Sequence, residues 1–397
     1  VHFENWISYR YLVASKGKFL SFLNVISIAG VAIGVMALIV VTGVMTGFGN
    51  NLREKIIGTT PHIMIEKERG IENFIQVAKE LKTIPEVQAA SAYIQGNVFL
   101  ESSGQAVGVA MRGIDPQNEK GITQVDKYLV KGNMADLRTG SVIIGSEMAR
   151  YFGYRIGDEI VVISPEAGIA GQGWRHKVII SGIFTTGMVD YDSNLIIVDL
   201  EQARQILNMP ENTVSGIGVK IKKPTDAALV KQKVYSKIGY SFIVRTWIDI
   251  NRNLFEALFL EKWGLFIILT LMILVASFNI ISTLVVTVSS KVHDIGILKS
   301  IGASRSAIRR IFTRQGILIG SLGTLLGTAG GFGVSYVLKN YIRVPEEIYS
   351  IRHVPVEIQP FDLFMIVLCA FLITFLATIY PAAKAAGMEP VEALRYE

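Results

Sequence analysis

The sequence predicts an integral membrane α-helical protein with four transmembrane helices and a large α+β extracytoplasmic domain inserted between helices 1 and 2. Two observations lead there. Half of the residues are hydrophobic and only 18% are charged, too apolar a balance for a soluble chain of this length. The apolar residues are also unevenly placed, crowding the start and the last third, while the stretch between them alternates like a soluble domain.

A helix needs about 20 predominantly apolar residues to cross roughly 30 Å of hydrocarbon at 1.5 Å per residue. No charge falls between Lys18 and Arg53, Lys262 and Lys291, Arg314 and Lys339, or Asp362 and Lys384. The first run is too long for the 7–15 apolar residues of a signal peptide and is expected to stay as a helix. The expected organisation is a cytoplasmic amphipathic segment (1–18), helix 1 (19–49), an extracytoplasmic domain (50–258), helix 2 (259–290), a cytoplasmic loop (291–312), helix 3 (313–338), a short extracytoplasmic loop (339–360), helix 4 (361–383) and a cytoplasmic tail (384–397). Orientation follows from basic residues in the short flanks: Arg10, Lys16 and Lys18; Lys291, Lys299, Arg305, Arg309, Arg310 and Arg314; Lys384 and Arg395. These flanks predict that both termini are cytoplasmic.

Gly30 and Gly34, Gly43 and Gly47, Gly316 and Gly320, and Gly323 and Gly327 stand four apart within the spans, a spacing that lets another helix backbone approach closely. Asn24 and Asn279 are expected to face protein or a polar cavity rather than lipid. The formal charge of +6 sits beside the apolar runs and comes with no recognition motif, which argues against nucleic acid. The single cysteine, Cys369, excludes an intrachain disulfide, and the five scattered histidines have no metal-ligand spacing.

In the middle domain, 62–66, 107–111, 142–145, 159–163, 178–182 and 195–198 read as strands, and 72–83, 146–152, 200–208 and 225–239 as helices. Neither a nucleophile elbow, a zinc-protease motif nor a phosphate-binding loop occurs, so no catalytic residue, metal or cofactor is expected. Asp190 and Asp192 beside Tyr191 read as a solvated or turn-forming pair on a loop rather than a catalytic one. The glycine-rich stretch 164–175, with Pro165, Ile169 and Trp174, reads equally as a mobile hairpin loop or as a projection whose tryptophan anchors a partner.

After the second run the chain reads Lys291-Val-His-Asp-Ile-Gly-Ile-Leu-Lys-Ser-Ile-Gly302, and it ends Tyr380-Pro-Ala-Ala-Lys-Ala-Ala-Gly-Met-Glu-Pro-Val-Glu-Ala-Leu-Arg-Tyr-Glu397. Together these resemble the coupling loop and tail of MacB/FtsX-like permeases of ABC transporters. Segments 7–12, Gly34–Leu38, Val44–Phe48, Gly113–Pro116, Val142–Gly145, Tyr191–Asn194 and Phe278–Ser282 extend the likeness, which along nearly the whole chain is to the LolC/LolE lipoprotein-releasing permeases.

The resemblance implies a non-catalytic permease that extracts lipoproteins from the outer leaflet of the bacterial inner membrane. It implies a pair of LolD-like ATPase subunits that bind the ATP and magnesium, a second identical or homologous permease, and a LolA-like periplasmic carrier. A signal transmitter that activates an envelope hydrolase and a MacB-like exporter are the alternatives. The ATPase contact is expected on a short helix through Lys291, Asp294, Ile295, Leu298, Lys299 and Ile301, with Ile295, Leu298 and Ile301 as its apolar edge. The lipoprotein acyl chains are expected against Val44, Met45, Phe48 and Leu52 on helix 1 and Phe255, Phe259, Trp263 and Phe266 on helix 2, each group spaced along one helical face. Ordinary bundle packing with an interfacial aromatic belt is the competing reading. Family members that recruit the carrier have a proline-containing hook tip, whereas the loop here has only Pro165, near its base.

Overall fold

The computed structural model describes residues 6–8, 10, 18–102, 104–167, 173–342 and 353–388. The chain divides into two compact units, one of long helices (1–49, 256–343 and 353–397) and one of mixed α/β structure (50–255 and 344–352).

The elements follow in order: α1 (Lys18–Thr59), β1 (Ile63–Glu72), α2 (Phe74–Leu81), β2 (Val87–Ser102), β3 (Gln105–Ile114), α3 (Pro116–Glu119), α4 (Val125–Tyr128), β4 (Leu129–Gly132), β5 (Ser141–Gly145), α5 (Ser146–Phe152), β6 (Glu159–Ala167), β7 (Gly173–Phe184), α6 (Val189–Asn194), β8 (Leu195–Asp199), α7 (Leu200–Ile206), β9 (Thr213–Ile221), α8 (Ala227–Ile238), β10 (Ile243–Thr246), α9 (Trp247–Ile250), α10 (Arg252–Ser290), α11 (Val292–Ser300), α12 (Arg305–Tyr341) and α13 (Pro360–Gly387). Among the described residues, α1, α10, α12 and α13 are long and apolar enough to cross a membrane. With 42 residues, α1 is about 63 Å long, roughly twice the hydrocarbon thickness.

In the α/β unit one mixed sheet runs β10-β1-β9-β2-β3-β8-β5-β7-β4, with β6 pairing β2 and β7. β3 and β8 run parallel, as do β5 and β7. Branched aliphatic side chains of alternate strand positions close the core, among them Ile63, Ile65, Val142, Ile144, Val198 and Ile217. Trp247 is buried there, donating from Nε1 to the Pro224 carbonyl at 3.0 Å, with the Arg53 guanidinium 5.4 Å over its ring.

The structure corrects several expected elements. Strands β2, β4, β9 and β10 are additional to the six read from the sequence. The helix expected from Glu72 starts at Phe74, because Glu72 ends β1 and Asn73 turns the chain with φ +52°. Asp190 and Asp192 lie in α6 rather than on a loop. Asp192 is buried, accepting from the Thr186 N–H and hydroxyl, both at 2.8 Å, and from the Gly187 N–H at 2.9 Å. Burial pushes its pKa up and those hydrogen bonds pull it back, so it braces the turn into α6. Gly145 is required beside it, because a Cβ there would overlap the Asp192 carbonyl.

The helical unit packs on small residues. A methyl at Gly30 would stand 3.5 Å from the Ala276 Cβ and one at Gly34 3.0 Å from the Ile273 side chain, which seats α1 against α10. On α12, Gly316 and Gly320 meet Thr378 and Thr374 of α13, while Gly323 and Gly327 meet Val31 and Val35 of α1. The Thr374 and Thr378 hydroxyls donate back to the carbonyls of Phe371 and Phe375 at 3.0 and 2.7 Å, satisfying both polar groups within their own helix. Gly43 and Gly47 differ: what they admit is the extended segment 355–358, whose Glu357 N–H donates to the Gly43 carbonyl at 2.9 Å. Asn24 is buried as expected, whereas Asn279 lies on an exposed face of α10.

Candidate functional site

Three groups of residues carry the functional expectations. The first lines α1 and α10 within the helical unit. The two helices run antiparallel: the Ser27 hydroxyl is 2.9 Å from that of Thr283, and Lys262 Nζ donates to Thr46 Oγ1 at 3.3 Å. Thr46 opposite Lys262 brings Met45 and Phe48 level with the turn from Phe259 to Trp263. Val44, Met45 and Phe48 are half-buried, while Phe259 and Trp263 are 63% and 51% exposed. Phe259, Trp263 and Phe266 form a ladder of edge-to-face rings with centroids 6.2 and 5.8 Å apart. Phe266 also packs against the bundle core. Leu52 and Phe255 fall in the α/β unit, where Phe255 lies edge-on to Trp247 at 5.4 Å.

An ion pair that sequence reasoning missed sits beside the ladder. Lys262 Nζ is 2.8 Å from Asp362 Oδ2, and the Thr46 hydroxyl donates to the same oxygen at 3.4 Å, so α1, α10 and α13 meet at one charged point. Both charges border an apolar run, and their opposite signs were the available signal.

The second group is α11. Ile295 is 1% exposed, packed against Val288, Ile308, Ile311, Phe312, Ala382 and Ala385, and Leu298 lies half-buried on the same cluster. Lys299 Nζ donates to the carbonyl of Ala386 at 2.8 Å and to that of Met388, capping the end of α13. Lys291 pairs with Asp294 at 2.9 Å. The expected apolar edge therefore divides, with Ile295 and Leu298 turned inward and Ile301 79% exposed. Ile297, which sequence reasoning passed over, is 41% exposed, and His293 lies on the same side four residues earlier. Two apolar stripes on one short helix cannot be ranked without knowing which the chain itself covers.

The third group is the β6–β7 hairpin. Ile169 lies outside the described residues, as does the side chain of Pro165. Trp174 belongs to strand β7 rather than to a loop and is 63% exposed. The neighbouring Arg175 pairs with Glu101 of β2 at 3.1 Å, tying the base of the hairpin to the sheet.

The MacB-like periplasmic core domain model matches residues 24–236, and the FtsX-like permease C-terminal model matches residues 266–390. The lipoprotein-releasing system transmembrane protein LolC of Neisseria meningitidis serogroup B (strain ATCC BAA-335 / MC58) is 32% identical over 99% of both chains. The chain belongs to the LolC/LolE family. LolC of Xylella fastidiosa (strain 9a5c) is 31% identical over 98% of both chains, and LolE of Haemophilus influenzae (strain ATCC 51907 / DSM 11121 / KW20 / Rd) is 26% identical over 98% of both. In this LolC/LolE-family chain the FtsX-like match spans α11, α12 and α13, and with them the whole second group.

Proposed function

We propose that this chain is the membrane permease of an ATP-driven transporter that extracts lipoproteins from the outer leaflet of the bacterial inner membrane and passes them to a periplasmic carrier. Similarity to lipoprotein-releasing system proteins along essentially the whole chain carries this reading. In it both termini are cytoplasmic, as the basic flanks favour, and the α/β unit stands in the periplasm. ATP and magnesium are bound by a separate pair of LolD-like subunits, a second LolC/LolE-like permease completes the channel, and the carrier is LolA-like.

The energetic demand fits such a division of labour. Exposing acyl chains to water costs about 0.8 kcal/mol per CH₂, so extraction needs both an energy source and an apolar surface along the way. The exposed ladder of Phe259 and Trp263, with half-buried Met45 and Phe48 level with it, offers that surface, and Val44 and Phe266 extend it. Phe255 is engaged with Trp247, which leaves it and Leu52 at the margin of the acyl path. The ATPase contact runs through the outward face of α11, His293, Ile297 and Ile301, with Lys291 and Asp294 flanking it. Trp174 is an anchor for the carrier.

A photo-crosslinker at Met45 or Phe48, in the chain reconstituted with its ATPase and second permease, tests the reading. It is expected to capture lipoprotein without ATP and to lose it when ATP is added. Adducts only to neighbouring helices in both states would reject the acyl path. ATP hydrolysis with no lipoprotein released to the carrier would favour a signal transmitter instead.

A further inference from the structure

Lys262 stands where the two halves of the acyl path meet, and the bundle leaves part of its hydrogen-bonding capacity unused. On α10 it falls three residues after Phe259 and four before Phe266, so it shares a helix face with rings of the aromatic ladder. Its Nζ reaches across to α1 and donates to Thr46 Oγ1 at 3.3 Å, between Met45 and Phe48 in the chain. It also donates to Asp362 Oδ2 at 2.8 Å. An ammonium carries three N–H donors, and the third meets no acceptor among the described residues. The side chain is 39% exposed, so a molecule lying on the ladder can reach that donor.

The surroundings select what the donor takes. Lys262 and Asp362 each border a charge-free run, so the pair marks one end of the hydrocarbon-spanning length. The ester and amide carbonyls of an acylated molecule lie at that level, because these linkages join the hydrocarbon chains to the polar head. Asp362 occupies the first turn of α13, where the helix dipole favours a carboxylate. The cation therefore already holds its counter-charge at contact distance, and an incoming phosphate meets Asp362 as well as Lys262. A neutral carbonyl oxygen accepts the remaining N–H and brings no charge to be repelled.

We propose that Lys262 is the head-group contact of the acyl path, donating a hydrogen bond to an acyl ester or amide carbonyl while Met45, Phe48, Phe259 and Trp263 hold the chains. The assignment of that carbonyl to cargo rests on the lipoprotein-transport reading. Phospholipids carry the same ester carbonyl, and the two sources are separated by using both as probes.

The test uses the chain assembled with its ATPase and second permease, without ATP, in a non-ionic detergent. Fluorescent probes are titrated in matched pairs: a dipalmitoylglyceryl-cysteinyl peptide of serine and glycine against its dihexadecyl ether counterpart, and diacyl against dialkyl phosphatidylcholine. The ether members keep the chains and lack the carbonyls. The diester lipopeptide is expected to bind about tenfold more tightly than the diether, the range for a hydrogen bond from a charged donor. The double variant Lys262→Met with Asp362→Leu leaves no partner of this pair charged and alone. It should bring the ratio to about one with the diether affinity unchanged, a result that loss of folding cannot give. Equal affinities within both pairs in the parent, or a ratio that survives in the double variant, would overturn the proposal. So would displacement of the lipopeptide by phosphatidylglycerol at least tenfold better than by phosphatidylcholine, which marks an anion site. An ester preference confined to phosphatidylcholine, with no lipopeptide bound, keeps the Lys262 contact and removes the lipoprotein-transport reading.

Discussion

The two units of this chain are held together by opposite means. In the α/β unit large side chains do the packing: Ile63, Ile65, Ile144 and Ile217 are fully buried, and Trp247 is 1% exposed. In the helical unit the contacts run through Gly30, Gly34, Gly316, Gly320, Gly323 and Gly327, while Phe259, Leu271 and Leu325 are more than half exposed. In water, each Å² of apolar surface removed contributes about 25 cal/mol, so bulk belongs inside. In lipid an exposed leucine loses nothing, and association depends on how closely backbones approach. The comparison teaches that glycine in the helices does the work that isoleucine does in the sheet.

Substitutions that invert the two rules test it most strongly. Trp247→Ala should cost about 3–5 kcal/mol, by analogy with other buried aromatic truncations. Leu271→Ala on the exposed face of α10 should change stability by less than about 0.5 kcal/mol. A detergent thermal-stability series would show both, and equal losses at the two positions would break the comparison. In the opposite sense, Gly323→Leu or Gly327→Leu should cost about 3 kcal/mol by driving side-chain atoms into Val31 and Val35, while Ser321→Leu, on an exposed face of the same helix, should be mild. Equal tolerance at the three sites would remove the close-approach argument.

A pH dependence should belong to the α/β unit. His62 is buried where β1 begins, its Nδ1 shared with the backbone of Ile221, and burial lowers its pKa to about 4, with Lys220 adding to the effect and the Ile221 hydrogen bond opposing it. A histidine held neutral by the fold takes up its proton more readily when unfolded. Its contribution is complete above pH 6.5, the unfolded value, and is lost as pH falls toward about 4. Glu119 and Asp192, whose pKa values are raised by burial, act in the opposite sense. The clean observable is thus the difference between the parent and His62→Asn melting profiles, expected to shift by about 3 kcal/mol across that window. Parallel profiles would show that His62 does not titrate on unfolding.

The smallest expected effect sharpens the comparison at α11. Ile301→Asp or Ile297→Asp should weaken ATPase binding about five- to thirtyfold, or about 1–2 kcal/mol, with the melting temperature unchanged. Leu298→Asp should instead lower the stability of the chain itself, because that side chain rests on the internal cluster around Ile295. Affinity by pull-down or calorimetry and thermal stability, measured on the same preparations, separate the two. A selective binding defect in Leu298→Asp with Ile301→Asp silent would reverse the assignment of faces.

Much of the architecture was legible because its signals are local. A charge-free run long enough to span hydrocarbon has few other uses, and all four such runs lie in the long helices. Strands Val142–Gly145 and Leu195–Val198 were readable as short aliphatic runs bounded by turn residues. Strands β2 and β9 were not. Alanines, serines and glycines dilute their pattern, and the reason for Gly216 and Gly218 is a neighbour far along the chain: Tyr93 in one case and Pro61 in the other.

Read alone, the sequence specifies how many helices are long and apolar enough to span a membrane and which family segment 291–302 and the tail resemble. These rest on hydropathy, charge and short motifs, each carried by neighbouring residues. Only the tertiary structure decided which surfaces remain available. Ile295 and Ile301 are equally apolar on paper, yet one is enclosed by α12 and α13 and the other stands exposed. Gly43 and Gly47 have the spacing of a helix contact and admit an extended strap. Arg112 and Asp190 lie far apart in sequence and line one cavity. Exposure and long-range proximity depend on what the rest of the chain packs against each residue, and no window of neighbouring residues contains that information.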